Sequence, residues 1–531
     1  MSTSHLIRHQ QRARRPVERQ AGHRLALRPK RLPRLRRRGR LRERHPGRCR
    51  RFFSDEDEIM KRLTVYLVMV IAMCVSLAAL PSEADAQSRR DRRRAEQLVA
   101  QGDTQYRQRN YQAAIVNYAR ALAIVPQYPL AHFNKGSAHF NLQQYDESIS
   151  EFTMALDQGY DSMAIYGIRW RANFALKNWD AAMNDVRAAL GKDAGNDYFY
   201  IAQGQILHGQ KDYRGAISSY QRAIDLGTKN GNVYYLKAMS HNGVGEWTDQ
   251  EAMASKALSS ATSAADLAWL LLGDAQQRLR KYDDAIRSYE NAKSVNPDLR
   301  EIYVNLAETL RVQNRLREAV LIAQEGIEKF PEDPTLHINL GWYYSLSNRN
   351  PLAIEYSRRA TELDPNQYLG FTNLCRAYND TGELQLALQN CNRALQLRPG
   401  DGETHFYLGR TYGLLDQPQR SQAEYKKAVE GLETFAPQNP NYADGYYLLG
   451  NAYSVTGQYA KAIDAYNTAI EIAPLFARAR FNLGLVYLRE SATAGSDAQS
   501  NAMLEKAREQ ANSLANIDAQ LAKNLREAIN Q

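Results

Sequence analysis

The sequence lacks the residue combinations by which an enzyme is usually recognised. It contains neither a G-x-S-x-G nucleophile motif nor an H-E-x-x-H zinc motif. The segment 204–211 has glycines like those of a phosphate loop, but Gln210 stands where a lysine is required and no strand is predicted before it. His139, His208 and His241 have no partner at metal-ligand spacing. We therefore expect no catalytic site, no metal and no cofactor.

Acidic residues are nearly absent from the first 51 residues. This arm holds 18 arginines and one lysine against Glu18 and Glu43, and it shows no apolar periodicity. Such a segment cannot bury enough surface to fold. It either binds nucleic acid or anionic lipid, or residues 1–59 are not translated, which the next segment favours. The rest of the chain is slightly acidic, so it offers no electrostatic case for nucleic-acid binding.

Residues 60–86 have the composition of a secretory signal peptide. Lys61 and Arg62 follow Met60, an uncharged run covers 63–80, and Ala84-Asp85-Ala86 is a small-x-small cleavage signal. This predicts a mature chain that begins at Gln87 in the periplasm or outside the cell, with a basic linker at 87–94. An alternative is a signal anchor in the inner membrane, because the run 63–80 is long enough to span a bilayer.

A period of about 34 residues fills the remainder of the chain. Repeats begin at 95, 129, 163, 197, 231, 266, 300, 334, 368, 402, 443 and 477. Small residues recur at positions 8, 20 and 27 of the repeat, as in Gly204, Ala216 and Ala223 of the fourth repeat. Glycine inside a helix costs about 1 kcal/mol, so it needs a compensating neighbour. We expect position 8 to face position 20 where two paired helices cross.

Large and helix-breaking residues complete the pattern. Aromatic residues recur at positions 17 and 24, as in Tyr213 and Tyr220. Prolines recur at position 32, where they should end the second helix of each repeat because proline lacks an N–H group; they are Pro126, Pro297, Pro331, Pro365, Pro399 and Pro474.

These columns resemble the tetratricopeptide repeat over residues 95–531. The resemblance implies an all-α fold, a right-handed α-solenoid superhelix of about twelve helix-turn-helix repeats, with an inner groove lined by the first helix of each repeat. The segment 517–529 resembles the closing helix that a solenoid needs.

Departures from the pattern predict the domain organisation. Repeats 1–4 occupy 95–230, a degenerate repeat 5 at 231–265 is a possible hinge, repeats 6–10 occupy 266–442, and repeats 11–12 with the capping helix occupy 443–531. Trp170 at position 8 should displace the first helix of repeat 3, and the step of 41 residues after 402 suggests a longer second helix or a loop.

Cys375 and Cys391 are the two cysteines of the predicted mature chain, at positions 8 and 24 of repeat 9. If position 8 faces position 20, Cys391 lies about one turn away. A disulfide requires Cα atoms within about 7 Å. We therefore favour two buried thiols over a bridge, which an extracytoplasmic location would permit.

Candidate peptide-binding residues lie at groove-facing positions of repeats 7–10. Position 6 holds asparagines in three consecutive repeats, whose amides could bracket the backbone of a bound peptide. Position 9 holds two arginines suited to carboxylates and a tryptophan that adds apolar area. The predicted site consists of Asn305, Asn339, Trp342, Asn373, Arg376 and Arg410. The alternative is that these asparagines are common in the family and the arginines are solvated.

The sequence thus predicts a non-enzymatic scaffold that holds a segment of another protein in its groove, in the cell envelope. Position 5 is mostly apolar, which disfavours the clamp that heat-shock cochaperones of this family use for acidic tails. The alternative function is a structural subunit of an envelope export or polysaccharide-secretion assembly, docking through the outer face. Neither function requires nucleic acid or a small-molecule substrate, and a membrane is involved only if the signal segment stays uncleaved.

Overall fold

The structure, a computed structural model, describes residues 67, 69, 83–260 and 262–531 of the chain. From residue 83 onward, the described residues form 25 helices. They are α1 (Glu83–Arg107), α2 (Tyr111–Ile124), α3 (Pro129–Asn141), α4 (Tyr145–Asp157), α5 (Met163–Ala175), α6 (Trp179–Lys192), α7 (Asp197–Gly209), α8 (Tyr213–Asp225), α9 (Asn232–Val244), α10 (Trp247–Leu258), α11 (Ala265–Arg278), α12 (Tyr282–Val295), α13 (Arg300–Val312), α14 (Leu316–Lys329), α15 (Pro334–Leu346), α16 (Asn350–Leu363), α17 (Tyr368–Thr381), α18 (Leu384–Leu397), α19 (Gly402–Leu414), α20 (Pro418–Gln438), α21 (Ala443–Val455), α22 (Tyr459–Ile472), α23 (Ala477–Ala492), α24 (Asp497–Leu514) and α25 (Ala519–Asn530).

The helices follow one another as twelve pairs. Eleven of these pairs pack closely as hairpins that stack on their neighbours within their part of the chain, and α25 covers the last one. The remaining pair, α5 and α6, is joined by the ion pair of Arg169 with Asp185 at 2.6 Å. From the second repeat onward, each first helix begins within one residue of the start of its 34-residue window. Second helices end two residues before the prolines of position 32, as α2 does before Pro126 and α12 before Pro297. The predicted all-α solenoid of helical pairs is confirmed.

The turn inside eleven of the twelve helix pairs is fixed by one left-handed residue at position 15. Gly245, Gly382 and Gly457 supply it in three repeats. Eight other repeats use a residue with a side chain, such as Asn314 with φ 57°. A conformation of this kind is uncommon outside glycine, so the stacking of the hairpin helices must hold it in place.

The contact partner of the position-8 glycines differs from the sequence prediction. A Cβ atom on Gly204 would lie 2.4 Å from Cε1 of Tyr220, and one on Gly450 would lie 2.6 Å from Cε1 of Tyr466. Both rings occupy position 24 and are buried. The prediction named position 20 as the neighbour of position 8, but position 24 supplies the nearest side chain. In repeats 8 and 10, a Cβ on Gly341 or Gly409 would also lie 3.2 or 3.1 Å from a position-20 carbonyl oxygen. The glycines provide room for an aromatic ring of the second helix, which packs against the backbone of the first.

The sizes at positions 8 and 24 compensate one another in the other repeats. In repeat 3, Trp170 at position 8 is combined with the smaller Val186 at position 24, and both are buried. Repeat 5 combines Ala238 with Ala254. The displacement of the first helix of repeat 3 that Trp170 predicts stays a prediction.

Repeat 9 places the two cysteines at this same contact. Cys375 and Cys391 form a disulfide with their Cα atoms 5.1 Å apart, and both are fully buried. The expectation of two separate thiols was wrong, because it rested on the incorrect pairing of positions 8 and 20.

The chain divides into two compact units between Ala189 and Leu190, rather than at the predicted hinge in 231–265. Repeat 5 packs tightly because its small side chains allow close approach: Ala254 is fully buried against Leu272 of the next repeat. The Gln250 amide also donates a hydrogen bond to the carbonyl of Leu271 at 2.8 Å.

The predicted linker 87–94 is helical and belongs to α1. It contains no glycine or proline, and Gln87 and Arg92 make side-chain contacts with Asp91 and Glu96 one turn further on. The predicted arm 1–59 and nearly all of the signal segment 60–86 lie outside the described residues. In the part of the chain that the structure describes, no helix has the length and hydropathy required to span a membrane.

The 41-residue step of repeat 10 corresponds to a long second helix followed by a short loop. Helix α20 has 21 residues and ends at Gln438, and α21 begins at Ala443. At the end of the chain, Leu525 of α25 is fully buried over Gly484.

Candidate binding groove

The predicted asparagines mostly stabilise the stacking of neighbouring repeats. The Asn305 amide donates to Oδ1 of Asp274 in the preceding repeat at 2.9 Å. The Asn373 amide donates to the carbonyl of Ile338 at 3.0 Å. Asn482 makes the same kind of contact with Asn451 at 2.7 Å. These side chains therefore have a structural role that the sequence pattern did not separate from ligand binding.

Of the two predicted arginines, one is buried and one is partly exposed. Arg376 is 7% exposed, and its Nη2 donates to Oδ1 of Asn373 at 2.9 Å while its Nη1 lies 3.7 Å from Glu403. Its Nε has no hydrogen-bond partner in the described residues. Arg410 forms an ion pair with Asp380 at 2.8 Å.

Both arginines line a cavity of about 640 Å³ that runs along the first helices of repeats 8–12. Two further arginines that the sequence prediction missed, Arg478 and Arg489, line it as well. We call these four side chains the arginine cleft. Asp380 is the one carboxylate among the lining residues. The cleft is therefore electropositive and suits an anionic or polar segment.

Arg478 and Arg489 differ from the other two cleft arginines in their surroundings. Both are exposed and lie on α23, eleven residues apart along the same helix. Neither forms an ion pair or side-chain hydrogen bond within the residues that the structure describes. Their donors are thus available to a ligand without the loss of an existing contact.

The remaining predicted residues lie at a second cavity. Asn305, Asn339 and Trp342 line a space of about 300 Å³ on the first helices of repeats 7 and 8. The Asn339 amide makes no side-chain hydrogen bond in the described residues, whereas the neighbouring amides of Asn305 and Asn373 do. The other side of this cavity is formed by residues 435–444, which we call the strap.

The strap is fastened to repeat 7 by a buried ion pair. Nη2 of Arg311 lies 2.6 Å from Oδ2 of Asp444, and the same guanidinium contacts Glu308 at 2.7 Å. The guanidinium carbon also lies 4.4 Å from the ring centroid of Trp342, in a cation–π arrangement. Burial raises the pKa of Asp444, and the positive charge of Arg311 opposes that rise.

Further contacts join repeats 6 and 7 to repeats 11 and 12. The Tyr282 hydroxyl donates to the carbonyl of Ile472 at 2.9 Å, and the Asn314 amide donates to the carbonyl of Ile517 at 3.1 Å. Val312 packs against Ala443 and Ile472. Three of the six predicted site residues, Asn305, Asn339 and Trp342, therefore line a groove that the same chain partly covers.

Comparison with known proteins agrees with the repeat architecture. Family models described as "Tetratricopeptide repeat" match residues 171–231, 270–334, 304–368 and 443–475, and one described as "TPR repeat" matches residues 102–143. The chain is a tetratricopeptide-repeat (TPR) protein.

Curated relatives of this TPR chain resemble parts of it. The DnaJ homolog subfamily C member 7 homolog of Dictyostelium discoideum is 26% identical over 159 residues, 27% of this chain and 30% of that protein. Hsc70-interacting protein 1 of Drosophila melanogaster is 31% identical over 99 residues, 19% of this chain and 26% of that protein. The matches thus span less than a third of these relatives. Among solved structures, the APC/C hetero-tetramer Cut9-Hcn1 has a TM-score of 0.38 at 14% identity, covering 82% of this chain and 97% of that one.

A titratable group lies beneath the TPR groove in repeat 6. Asp274 accepts hydrogen bonds from the Tyr289 hydroxyl at 2.7 Å and from the Asn305 amide at 2.9 Å. Burial raises the pKa of Asp274 to about 6, although both hydrogen bonds favour the charged form. This carboxyl group joins a buried tyrosine to the asparagine ladder.

Several histidines of the TPR chain are buried within the repeats. His132, His337 and His405 are all buried. The structure also brings Glu246 and Asp249 beside His241, with Nδ1 of His241 2.9 Å from Glu246. Because these two carboxylates lie at the start of α10, the helix dipole explains their position, and we assign no metal to them.

Proposed function

We propose that this TPR protein is a non-catalytic scaffold that binds a segment of a partner protein along the first helices of repeats 8–12. The observation that carries the proposal is the arginine cleft. Arg478 and Arg489 present guanidinium groups without partners along a continuous cavity. Extended segments can use such donors for their carbonyl and carboxylate oxygens.

The names of the relatives support a protein as the partner. Hsc70-interacting protein 1 and the Hsp70-Hsp90 organizing proteins are named for proteins with which they act. These matches cover 26% to 41% of the relatives' own lengths. We take from them the class of partner and not its identity.

A crosslinking experiment tests the site. A photoreactive amino acid at Ser454 or Arg489 should form crosslinks with the partner, whereas the same group at Leu321, a second-helix residue that is 63% exposed, should not. Arg478→Glu with Arg489→Glu should weaken partner recovery at least tenfold and leave the helical circular dichroism unchanged. Crosslinks from Leu321 with a silent cleft would refute this site and favour a structural subunit that docks through its second helices.

We also propose that the protein acts in the cell envelope, on the basis of the signal-like segment 60–86. Cleavage after Ala86 predicts an intact mass for the native protein that corresponds to residues 87–531. A native mass that includes residues 60–86 would support the inner-membrane anchor instead. A mass that includes residues 1–59 would show that the arginine-rich arm is translated.

A further inference from the structure

The strap lies where a bound segment is expected to lie. Its residues form one side of the 300 Å³ cavity, and the other side holds Asn339 and Trp342 of the predicted peptide-binding groove. The strap exists because α20 continues to Gln438 before the chain turns into α21. This part of the groove thus already has an occupant that belongs to the same chain.

The strap contacts the groove through a carboxylate and a neighbouring apolar side chain, as a bound peptide would. Asp444 presents a carboxylate to Arg311 at 2.6 Å, and Arg311 is oriented by Glu308 and by the face of Trp342. Ala443 supplies an apolar contact to Val312 next to this ion pair. An oriented guanidinium beside an aromatic ring is a receptor for a carboxylate.

The groove is only partly filled by the strap. A space of about 300 Å³ remains beside Trp342, and the Asn339 amide that borders it has no side-chain hydrogen bond within the described part of the chain. A segment with a larger side chain could use this space and this amide.

We propose that the groove of repeats 6–8 is a second interaction surface and that the strap is its internal ligand. The partner that it fits is a peptide segment with one carboxylate, which replaces Asp444 on Arg311, next to an apolar side chain that fills the space beside Trp342. Strap and partner compete for the same groove. Because the strap is tethered, its effective concentration at the groove is on the order of millimolar. The apparent affinity of the partner is therefore its affinity for the open groove multiplied by the fraction of molecules in which the strap has left the groove.

The test uses the strap itself as the probe. A fluorescein-labelled peptide with the sequence of residues 432–447 is titrated with the full chain, and its anisotropy is measured. The groove is opened by Asp444→Lys, which places a positive charge beside Arg311. Asp464→Lys makes the same change at an exposed aspartate on α22 and serves as the matched control.

We expect the peptide to bind Asp444→Lys at least tenfold more tightly than it binds the wild type or Asp464→Lys. A peptide in which Asp444 is replaced by asparagine should bind the opened chain at least tenfold more weakly. If circular dichroism shows that Asp444→Lys does not fold, Asp444→Asn replaces it, with the same direction and a smaller ratio.

Two results would overturn the inference. Equal affinity for the wild type, the opened chain and the control would show that the strap does not compete. Absence of binding to a folded opened chain would show that the groove does not recognise the strap as a ligand. Neither result affects the arginine cleft, because crosslinks from Ser454 and Arg489 report on a different cavity.

Discussion

Replacement of Gly204 by alanine tests the contact between positions 8 and 24. The new Cβ would lie 2.4 Å from Cε1 of Tyr220 and 2.7 Å from its Cδ1 and Cζ atoms. Ordinary carbon contacts are about 3.5–4.0 Å, so the ring would have to move by about 1 Å. Tyr220 is 1% exposed, so its neighbours would have to move as well.

The magnitude follows from two opposing effects. Overpacking of a core costs about 1–3 kcal/mol, while alanine improves helix propensity by about 1 kcal/mol. We expect Gly204→Ala to destabilise the chain by about 1 kcal/mol. In a Tyr220→Ala background, which itself costs about 3–5 kcal/mol by analogy with other aromatic truncations, the ring is absent, so the same change should stabilise by up to about 1 kcal/mol.

A double-mutant cycle measured by urea unfolding with circular dichroism gives the coupling between the two positions. Gly167→Ala is the control, because a Cβ at this helical glycine would meet no atom within 4 Å, and it should stabilise by about 0.4–1 kcal/mol. If Gly204→Ala had the same effect on the free energy of unfolding with and without the Tyr220 ring, contact with this ring would not be the reason for glycine at position 204.

Three further predictions concern other parts of the structure. Ala319→Glu should destabilise by about 4 kcal/mol or more, since the site is fully buried between helices; Arg317→Glu, an exposed change in the same helix, should be nearly neutral in the same urea titration. Mass spectrometry of an unreduced digest should recover Cys375 and Cys391 in one linked pair of peptides, and separately alkylated cysteines would contradict the bridge. Because the folded-state pKa of Asp274 lies near 6, above its ordinary value of 3.8, the folded state binds a proton more tightly. Its stabilising contribution is complete below about pH 4 and is lost as the pH rises through about 6. The difference in melting temperature between the wild type and Asp274→Asn should therefore change across this range, and a constant difference would refute the assignment.

Much of the fold could be predicted because its determinants are local. Prolines at position 32 end the second helices at the places where the sequence indicates, and small residues mark most of the helix crossings. The partner of each glycine could not be predicted in the same way. It depends on how far one helix is shifted along the other, so Gly204 meets Tyr220 and Cys375 meets Cys391.

The candidate site was predicted less completely than the fold. Arg376 and Arg410 do line a cavity, but so do Arg478 and Arg489, which lie two to three repeats further along the chain. Their convergence depends on the curvature that accumulates over several repeats. No single repeat carries a signal for it.

The sequence by itself determined that this chain consists of paired helices with a 34-residue period, because helix ends and crossings are set by residues close together in the chain. Only the tertiary structure decided that Asp444 meets Arg311, since 133 residues separate them. That contact requires the stack of repeats 6–12 to curve until its ends approach, and the seven residues added to repeat 10 to cross the remaining gap. The open or occupied state of the groove is thus a property of the assembled stack and not of any repeat within it.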